Sequence, residues 1–247
     1  MRLAILSDIH GNIAALDAVL ADVAARGVDA IVNLGDILSG PLFPVETADR
    51  LMALDLPTIR GNHERQLLED APDRMGASDL FAAERLRPDQ KAWIAALPAT
   101  RRVAHDVLMV HGTPENDLAP FLESITPQGM RPATAEEVAA RASVESAKAA
   151  RMILCGHTHL PRMARLADGR LVVNPGSVGL PAYAEDQPFP HRAETGSPHA
   201  RYAIAEGKDG EWAAEPLSVR YDWEGAARAA EAQGRADWAR ALRTGYA

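Results

Sequence analysis

The chain of 247 residues is long enough to bury a sizeable core, either as one large α/β domain or as two smaller domains. Its formal net charge of -8 argues against broad binding to nucleic-acid backbones, and no apolar run approaches the roughly 20 residues of a membrane-spanning helix. Because the N-terminus lacks the apolar stretch of a signal peptide and the only cysteine, Cys155, cannot form an internal disulfide, we expect a cytoplasmic protein.

Short apolar runs rich in β-branched residues alternate with helical patterns in the first two thirds of the chain. This alternation is typical of strands and helices around a largely parallel sheet. The predicted strands are residues 3–8, 30–36, 56–62, 107–112 and 151–157. The predicted helices are residues 13–26, between an Asn12 cap and a Gly27 stop, and residues 44–55 and 134–150, whereas 72–76 and 126–132 are predicted loops.

The pattern changes after residue 162. Residues 162–174 predict a hairpin that turns at Asp168-Gly169, and residues 201–219 predict a second hairpin. Residues 222–243 predict helices that are interrupted near Gly234 and pack on the body of the protein. We therefore expect a single α/β domain over residues 1–247, with two mixed β-sheets packed as a sandwich and flanked by helices.

Each of the five predicted strands ends in a polar cluster. The clusters are Asp8-Ile9-His10, Gly35-Asp36, Gly61-Asn62-His63-Glu64, His111-Gly112 and Gly156-His157-Thr158-His159. One aspartate or histidine after a strand is most often a turn former or a hydrogen-bonded structural residue. Five such clusters in succession are not explained in that way, and ligands of open α/β sheets bind at the carboxyl ends of the strands. The sequence therefore predicts that the clusters form one site.

The side chains in these clusters indicate a site for two metal ions. A mixture of carboxylate, imidazole and amide ligands suits first-row divalent metals better than calcium or a structural zinc. Two such ions about 3.5–4 Å apart can bridge a hydroxide and bind the oxygens of a phosphoryl group, with one carboxylate shared between them. On an extended chain His157 and His159 face the same way about 6.6–6.8 Å apart, which suits two neighbouring ions at least as well as one.

The ordered clusters resemble the calcineurin-like metallophosphoesterase superfamily from residue 3 to about residue 180. The Asn174-Pro175-Gly176-Ser177 loop and residues 221–245 further resemble its small bacterial and archaeal phosphodiesterase-like branch. The resemblance implies the four-layer αββα metallophosphoesterase fold and hydrolysis of a small or nucleotide-like phosphodiester. Alternative activities are those of a dinucleoside polyphosphate hydrolase or a phosphomonoesterase. Some relatives are non-catalytic binding scaffolds, but the complete ligand set and His63 favour an enzyme here.

The resemblance also assigns roles to residues. It implies that Asp8, His10 and His159 bind one metal ion, that Asn62, His111 and His157 bind the other, that Asp36 bridges both, and that His63 is the general acid. We expect manganese, with iron, zinc, nickel and cobalt as alternatives. The expected partner is a small phosphoester substrate. Instead of packing on the body of the protein, the C-terminal helices have a contact between two copies of the chain as their alternative role.

Two departures from relatives bear on the substrate. The phosphoprotein phosphatases carry, after their Gly-Asp, an aspartate that orients the catalytic histidine and an arginine that binds phosphate, but Ser39 and Gly40 stand at those places here. This difference argues against a protein phosphatase and leaves His63 without its usual orienting partner. In the small phosphodiesterase branch an arginine commonly stands where this chain has Ala182.

The substrate contacts are left open by the sequence. Residues 183–200 form a longer segment than we expect for this branch, and they are either a solvated surface loop or a lid. A lid would bring His191, Arg192, His199 or Arg201 to the substrate. The candidate substrate contacts are His199, from this segment, and Arg60, from the run before the Gly61-Asn62-His63-Glu64 cluster. Cys155 is predicted to be a small core residue.

Overall fold

Thirteen β-strands and nine α-helices form the protein, and the computed structural model describes residues 1–247. The strands are β1 (Arg2–Leu6), β2 (Ala30–Asn33), β3 (Arg101–Val103), β4 (Val107–Met109), β5 (Glu123–Thr126), β6 (Gly129–Pro132), β7 (Met152–Leu154), β8 (Arg162–Arg165), β9 (Leu171–Asn174), β10 (Ala182–Glu185), β11 (His191–Glu194), β12 (Ala200–Lys208) and β13 (Glu211–Val219). The helices are α1 (Ile13–Arg26), α2 (Pro44–Leu54), α3 (Asn62–Glu69), α4 (Ala77–Arg85), α5 (Pro88–Ala96), α6 (Ala135–Arg141), α7 (Glu145–Lys148), α8 (Trp223–Ala232) and α9 (Ala236–Thr244).

Two mixed sheets contain nine of the strands. The first has the order β13-β12-β1-β2, in which β1 is parallel to β2 and antiparallel to β12. The second has the order β3-β4-β7-β9-β8, with β4, β7 and β9 parallel and the two edge strands antiparallel. The remaining strands form two separate hairpins, β5–β6 and β10–β11.

The alternation of side chains along the strands packs each sheet on both faces. In β1, Leu3 and Ile5 lie in a core of 14 buried residues to which both sheets contribute, whereas Ala4 and Leu6 lie in a core of 20 buried residues with α1. Each fully buried Leu or Ile side chain contributes about 1.5–3 kcal/mol. A further core forms between α6 and the second sheet. The layers are thus helices, sheet, sheet and helices, which confirms the predicted αββα fold.

Three local predictions were wrong. Residues 56–62 do not form a strand, because Pro57 has no N–H to donate and only Thr58 forms a single bridge, to Asn33. Residues 126–132, predicted as a loop, lie largely in the β5–β6 hairpin, which turns where Gly129 has a φ of 107°. The helix predicted over 134–150 is divided into α6 and α7.

The C-terminal half agrees with its pattern in most places. The hairpins β8–β9 and β12–β13 form as predicted, and Gly234, with a φ of 75°, separates α8 from α9. Cys155 is buried in the core beneath α6. No helix in the protein combines the length and the apolar character needed to cross a bilayer.

Candidate metal centre

The loops after four strands bring their polar side chains together. Asp8 and His10 follow β1, Asp36 follows β2, His111 follows β4, and the paired histidines follow β7. These side chains form two groups, and the donor atoms within each group lie within 4.8 Å of one another. The groups are Asp8, His10 and His159, and Asp36, His111 and His157. His157 and His159 therefore lie in different groups although they are two residues apart.

The backbone at these positions adopts an uncommon conformation. Asp8, His10, Asp36, His157 and His159 all have φ between 52° and 69°, and they are five of the nine non-glycine residues with positive φ. Such left-handed residues carry a conformational cost of about 1–3 kcal/mol each, and they concentrate at functional sites. The surrounding structure thus holds the side chains of both groups in place at the expense of local strain.

Backbone carbonyls fix the ring orientation of three histidines of the site. The Nδ1 atoms of His10, His111 and His159 lie 2.7, 2.8 and 2.7 Å from the backbone oxygens of Ser39, Leu34 and Leu180. A carbonyl oxygen only accepts, so each Nδ1 donates and a neutral ring keeps its lone pair on Nε2.

Several donor atoms of the site have no partner within the protein. The Nε2 atoms of His10 and His159 face each other at 3.1 Å, where two lone pairs would repel. Asp8 Oδ2 is buried without a hydrogen-bond partner. Because a cation would satisfy all of these atoms, the residues fit two divalent metal ions.

Burial sets the protonation of most of these groups. It lowers the pKa of His10 to about 4 and that of His157 to about 3, so both rings are neutral at neutral pH. It raises the pKa of Asp8 to about 7. Burial also acts to raise the pKa of Asp36, but nearby histidines, chiefly His111, hold it well below its usual value. Burial opposes the charge of His111, yet Asp36 raises its pKa to about 10.

Asn62 lies at the second group. Its Oδ1 atom is 3.0 Å from Nδ1 of His157, and its Nδ2 atom donates to Gln66 Oε1 at 3.1 Å, which orients the amide with its oxygen toward the group. Asp36 Oδ2 lies 3.0 Å from His111 Nε2, and its Oδ1 accepts the backbone N–H of His63 at 3.0 Å. Asp36 thus belongs geometrically to the second group, and its bridging of two ions stays a prediction.

The buried carboxylate of Glu64 fixes the loop that carries Asp36. It accepts the backbone N–H groups of Asp36, Ile37 and Gly61 at 2.8, 2.7 and 2.9 Å. The loops approach so closely that a Cβ on Gly61 would lie 2.2 Å from Asp36 Oδ1. The sequence placed Glu64 in a cluster but did not reveal this positioning role.

A second buried carboxylate fixes the turn that carries the paired histidines. Thr158 Oγ1 donates to Glu123 at 2.8 Å, and Arg162 Nε donates to the same carboxylate at 2.7 Å. Asn174 Nδ2 donates to the Gly156 carbonyl at 2.7 Å and to Thr158 Oγ1 at 3.0 Å. Glu123 was not among the predicted site residues, because it lies on a hairpin remote in sequence from the histidines.

His63 has an orienting partner, contrary to the sequence-based expectation. Its Nδ1 atom lies 2.8 Å from Oδ1 of Asp79, which is on α4 and is 4% exposed. Burial disfavours the charged ring, but the charge of Asp36 and the hydrogen bond to Asp79 raise the pKa of His63 to about 9. The side chain of His63 remains 29% exposed, so a ligand can reach it. The sequence did not reveal this pair because α4 was not predicted.

Two members of each donor group and His63 line one pocket of about 740 Å³. The members are His10 and His159, and Asp36 and His157. Its other walls are α9, which contributes Trp238, and the β10–β11 hairpin, which contributes Tyr183, Glu185 and His191. The segment 183–200 is therefore not only a surface loop, because part of it forms a wall of the pocket.

The two candidate substrate contacts do not line this pocket. The backbone N–H of Arg60 donates to the Pro98 carbonyl. The ring of His199 packs 5.2 Å from that of Trp223 and is hydrogen-bonded to Ser197. Neither side chain therefore forms part of the pocket wall in this structure.

Comparisons with known proteins agree with this geometry. Residues 1–192 match the family model of the calcineurin-like phosphoesterase superfamily domain. An uncharacterised protein of Methanocaldococcus jannaschii is 25% identical over 242 residues, which cover 89% of this chain and 88% of that protein.

Two solved structures share the architecture. The crystal structure of a metallophosphoesterase from Sphaerobacter thermophilus superposes with a TM-score of 0.74 at 25% identity, over 99% of both chains. The crystal structure of a proposed diadenosine tetraphosphatase superposes with a TM-score of 0.53 at 20% identity, over 87% of this chain and 93% of the other, which is a likeness of fold alone.

Proposed function

The chain belongs to the calcineurin-like phosphoesterase superfamily and is a phosphoric ester hydrolase, and we propose that it uses two divalent metal ions to hydrolyse a small phosphodiester. The main support for the proposal is the pair of donor groups, each with its donor atoms within 4.8 Å of one another, which share one pocket wall with His63 through His10, His159, Asp36 and His157. Neither group alone would explain why loops from four strands, three of them with strained positive-φ residues, meet at the same place.

The proposed ligands follow the two groups. Asp8, His10 and His159 would hold one ion, and Asn62, His111 and His157 would hold the other, with Asp36 shared between them. When bound, such ions supply the Lewis acidity that activates water and neutralises charge on phosphate oxygens. The mixture of oxygen and imidazole donors supports manganese as the metal, with the other first-row divalent ions as alternatives.

His63 is proposed to protonate the leaving oxygen of the ester. It keeps its proton at neutral pH because its pKa is about 9, and Asp79 accepts from Nδ1 and so fixes the ring while Nε2 carries the transferable proton. A positioned acid of this kind contributes about 10²–10⁴-fold to the rate. The centroid of the His63 ring lies 5.4 Å from that of the His10 ring, so the leaving group would lie beside the first donor group.

A direct test is hydrolysis of bis(4-nitrophenyl) phosphate by the purified chain with manganese. We expect turnover that stops on chelation and returns when manganese is restored. A metal-loaded protein that is inactive on diester, monoester and cyclic phosphate substrates would contradict the proposed function. Turnover of the monoester 4-nitrophenyl phosphate in preference to the diester would keep the enzyme class but replace the diesterase assignment.

A further inference from the structure

Aromatic and apolar side chains form the pocket wall next to the first donor group. The ring of Tyr183 stands edge-on to the His159 ring at 4.8 Å, and the indole of Trp238 stands edge-on to the His10 ring at 5.8 Å. Leu180 and Ala241 continue this wall. Flat apolar surface beside a phosphate site suits an ester group that is itself flat and apolar.

Trp238 reaches this position because residue 40 is glycine. A Cβ on Gly40 would lie 2.6 Å from the indole ring and 2.7 Å from the backbone oxygen of His10. The φ of Gly40 is 155°. The loop after Asp36 therefore presents a face without side chain to α9, and an aromatic ring fills that space.

The charges of the pocket wall are mainly negative. Four carboxylates line the pocket, whereas Arg235 is its only arginine and no lysine lines it. The carboxylates are Asp36, Asp79, Glu185 and Asp237. Beyond the metal ions, a ligand with several phosphates would therefore meet more carboxylates than free cations.

Arg235 is already engaged by its neighbours. Its Nε and Nη2 atoms donate to the carboxylate of Asp237 at 3.0 and 2.7 Å, and its Nη1 donates to Ser78 Oγ at 3.0 Å. All three guanidinium nitrogens thus have partners, and the charge is neutralised by a carboxylate. The pocket offers no unpaired arginine or lysine for a second phosphate.

From this arrangement, and resting on the proposed function, we infer that the pocket selects esters of a single phosphate with a flat aromatic ester group and discriminates against polyphosphates. The two divalent ions would bind the one phosphate, and Tyr183 supplies the ring against which the aromatic group packs. This specificity separates the enzyme from one that hydrolyses dinucleoside polyphosphates.

The first arm of the test keeps 4-nitrophenol as the leaving group and varies only the other ester group. The value of kcat/KM is measured for bis(4-nitrophenyl) phosphate and for methyl 4-nitrophenyl phosphate, each divided by its spontaneous rate. We expect the wild type to prefer the aryl ester by about tenfold. Tyr183→Ala should reduce this preference to about threefold or less, whereas Tyr183→Phe, which keeps the ring, should retain it.

The second arm varies the number of phosphates. The 4-nitrophenyl ester of thymidine 5′-monophosphate and diadenosine tetraphosphate are compared at the same manganese concentration. After each value is divided by the spontaneous rate of its substrate, we expect kcat/KM for the tetraphosphate to be lower by about 100-fold or more, because its additional phosphates meet no free cation. Asp237→Asn, at a side chain that is 64% exposed, frees the charge of Arg235 and should raise the ratio of tetraphosphate to diester activity several-fold.

Two results would overturn the inference. One is a tetraphosphate that is hydrolysed as fast as the diester after the same correction for spontaneous rates, and the other is an aryl preference that is absent in the wild type or unchanged in Tyr183→Ala. If Tyr183→Ala does not fold, the inference is still tested by the wild-type comparisons and by the ratio of tetraphosphate to diester activity in Asp237→Asn. Failure of the proposed function itself looks different, because no phosphoester at all would then be hydrolysed by the metal-loaded protein.

Discussion

Asp79 Oδ1 lies 2.8 Å from Nδ1 of His63, although the two residues are 16 positions apart and on different helices. The carboxylate is buried, whereas the imidazole is partly exposed to the pocket. The pair thus has a fixed inner end and an accessible outer end. This is the arrangement that a general acid needs, because the buried partner orients the ring and stabilises its protonated form.

Replacement of Asp79 should lower turnover with little effect on substrate binding. Asp79→Asn keeps a polar group near His63 but removes the negative charge that stabilises the protonated ring. We expect kcat to fall about 10–100-fold with KM nearly unchanged. Steady-state kinetics on an aryl phosphodiester measure this, and Glu84→Gln, at an exposed position of the same helix, is the matched control. A fall in KM or metal content with unchanged kcat would assign Asp79 another role.

The pH dependence of turnover should show where His63 loses its proton. The acid acts only while protonated, and its pKa is raised to about 9. Activity that depends on it is therefore present below that pH and should fall about tenfold per pH unit above it. In Asp79→Asn the pKa of His63 drops, so the alkaline fall should begin at lower pH. Identical alkaline limbs in the two proteins would rule out the proposed coupling.

Metal uptake should release protons. Because Asp36 raises the pKa of His111 to about 10, this ring carries a proton at neutral pH that must leave before Nε2 can bind a cation. We expect the apparent affinity for manganese to increase with pH, by up to about tenfold per unit below pH 10. Calorimetry in buffers of different ionisation enthalpy counts the protons. Uptake without proton release, or affinity independent of pH, would be inconsistent with His111 as a ligand.

The paired histidines should control different metal ions. His157 and His159 lie in separate donor groups, so alanine at either position should lower the metal content from two ions to about one. Elemental analysis of the two variants after identical loading measures this. A single mononuclear site would give a different result, because the wild type would then hold one ion and both variants would lose it.

Replacement of Glu64 should destabilise the Asp36 loop. Glu64→Gln retains one acceptor oxygen for three backbone donors, and at least one buried N–H then faces an amide NH₂. We expect a loss of about 2 kcal/mol in the free energy of unfolding and a Tm lower by about 4–8 °C. Glu69→Gln, at the exposed end of the same helix, is the control for thermal unfolding. Equal Tm values for the two variants would contradict the positioning role.

The local sequence pattern was sufficient to predict β1, β7 and α1. The apolar runs of β1 and β7 and the spacing along α1 are local properties, and the polar residues after each strand necessarily meet at one edge of the sheets. The convergence of Asp8 with His159 could therefore be expected although 151 positions separate them, since both follow strands of the sandwich.

The remaining features depend on contacts that no local pattern encodes. Asp79 reaches His63 through the packing of α4 on α3, and Tyr183 reaches the pocket because the β10–β11 hairpin folds over the donor groups. The error at 56–62 has a local cause instead, because the apolar run contains Pro57 and leads directly into α3 at Asn62. Tertiary packing, not propensity, decided the first two outcomes.

The most direct test of the account is the metal content and turnover of His63→Ala, measured on the same preparation. His63 touches neither donor group as a ligand in this account, so the variant should hold the same two manganese ions as the wild type. Its turnover of an aryl phosphodiester should nevertheless be lower by about 10²-fold or more. Unchanged turnover with full metal content would contradict the assignment of His63 as the acid in a dinuclear phosphoesterase.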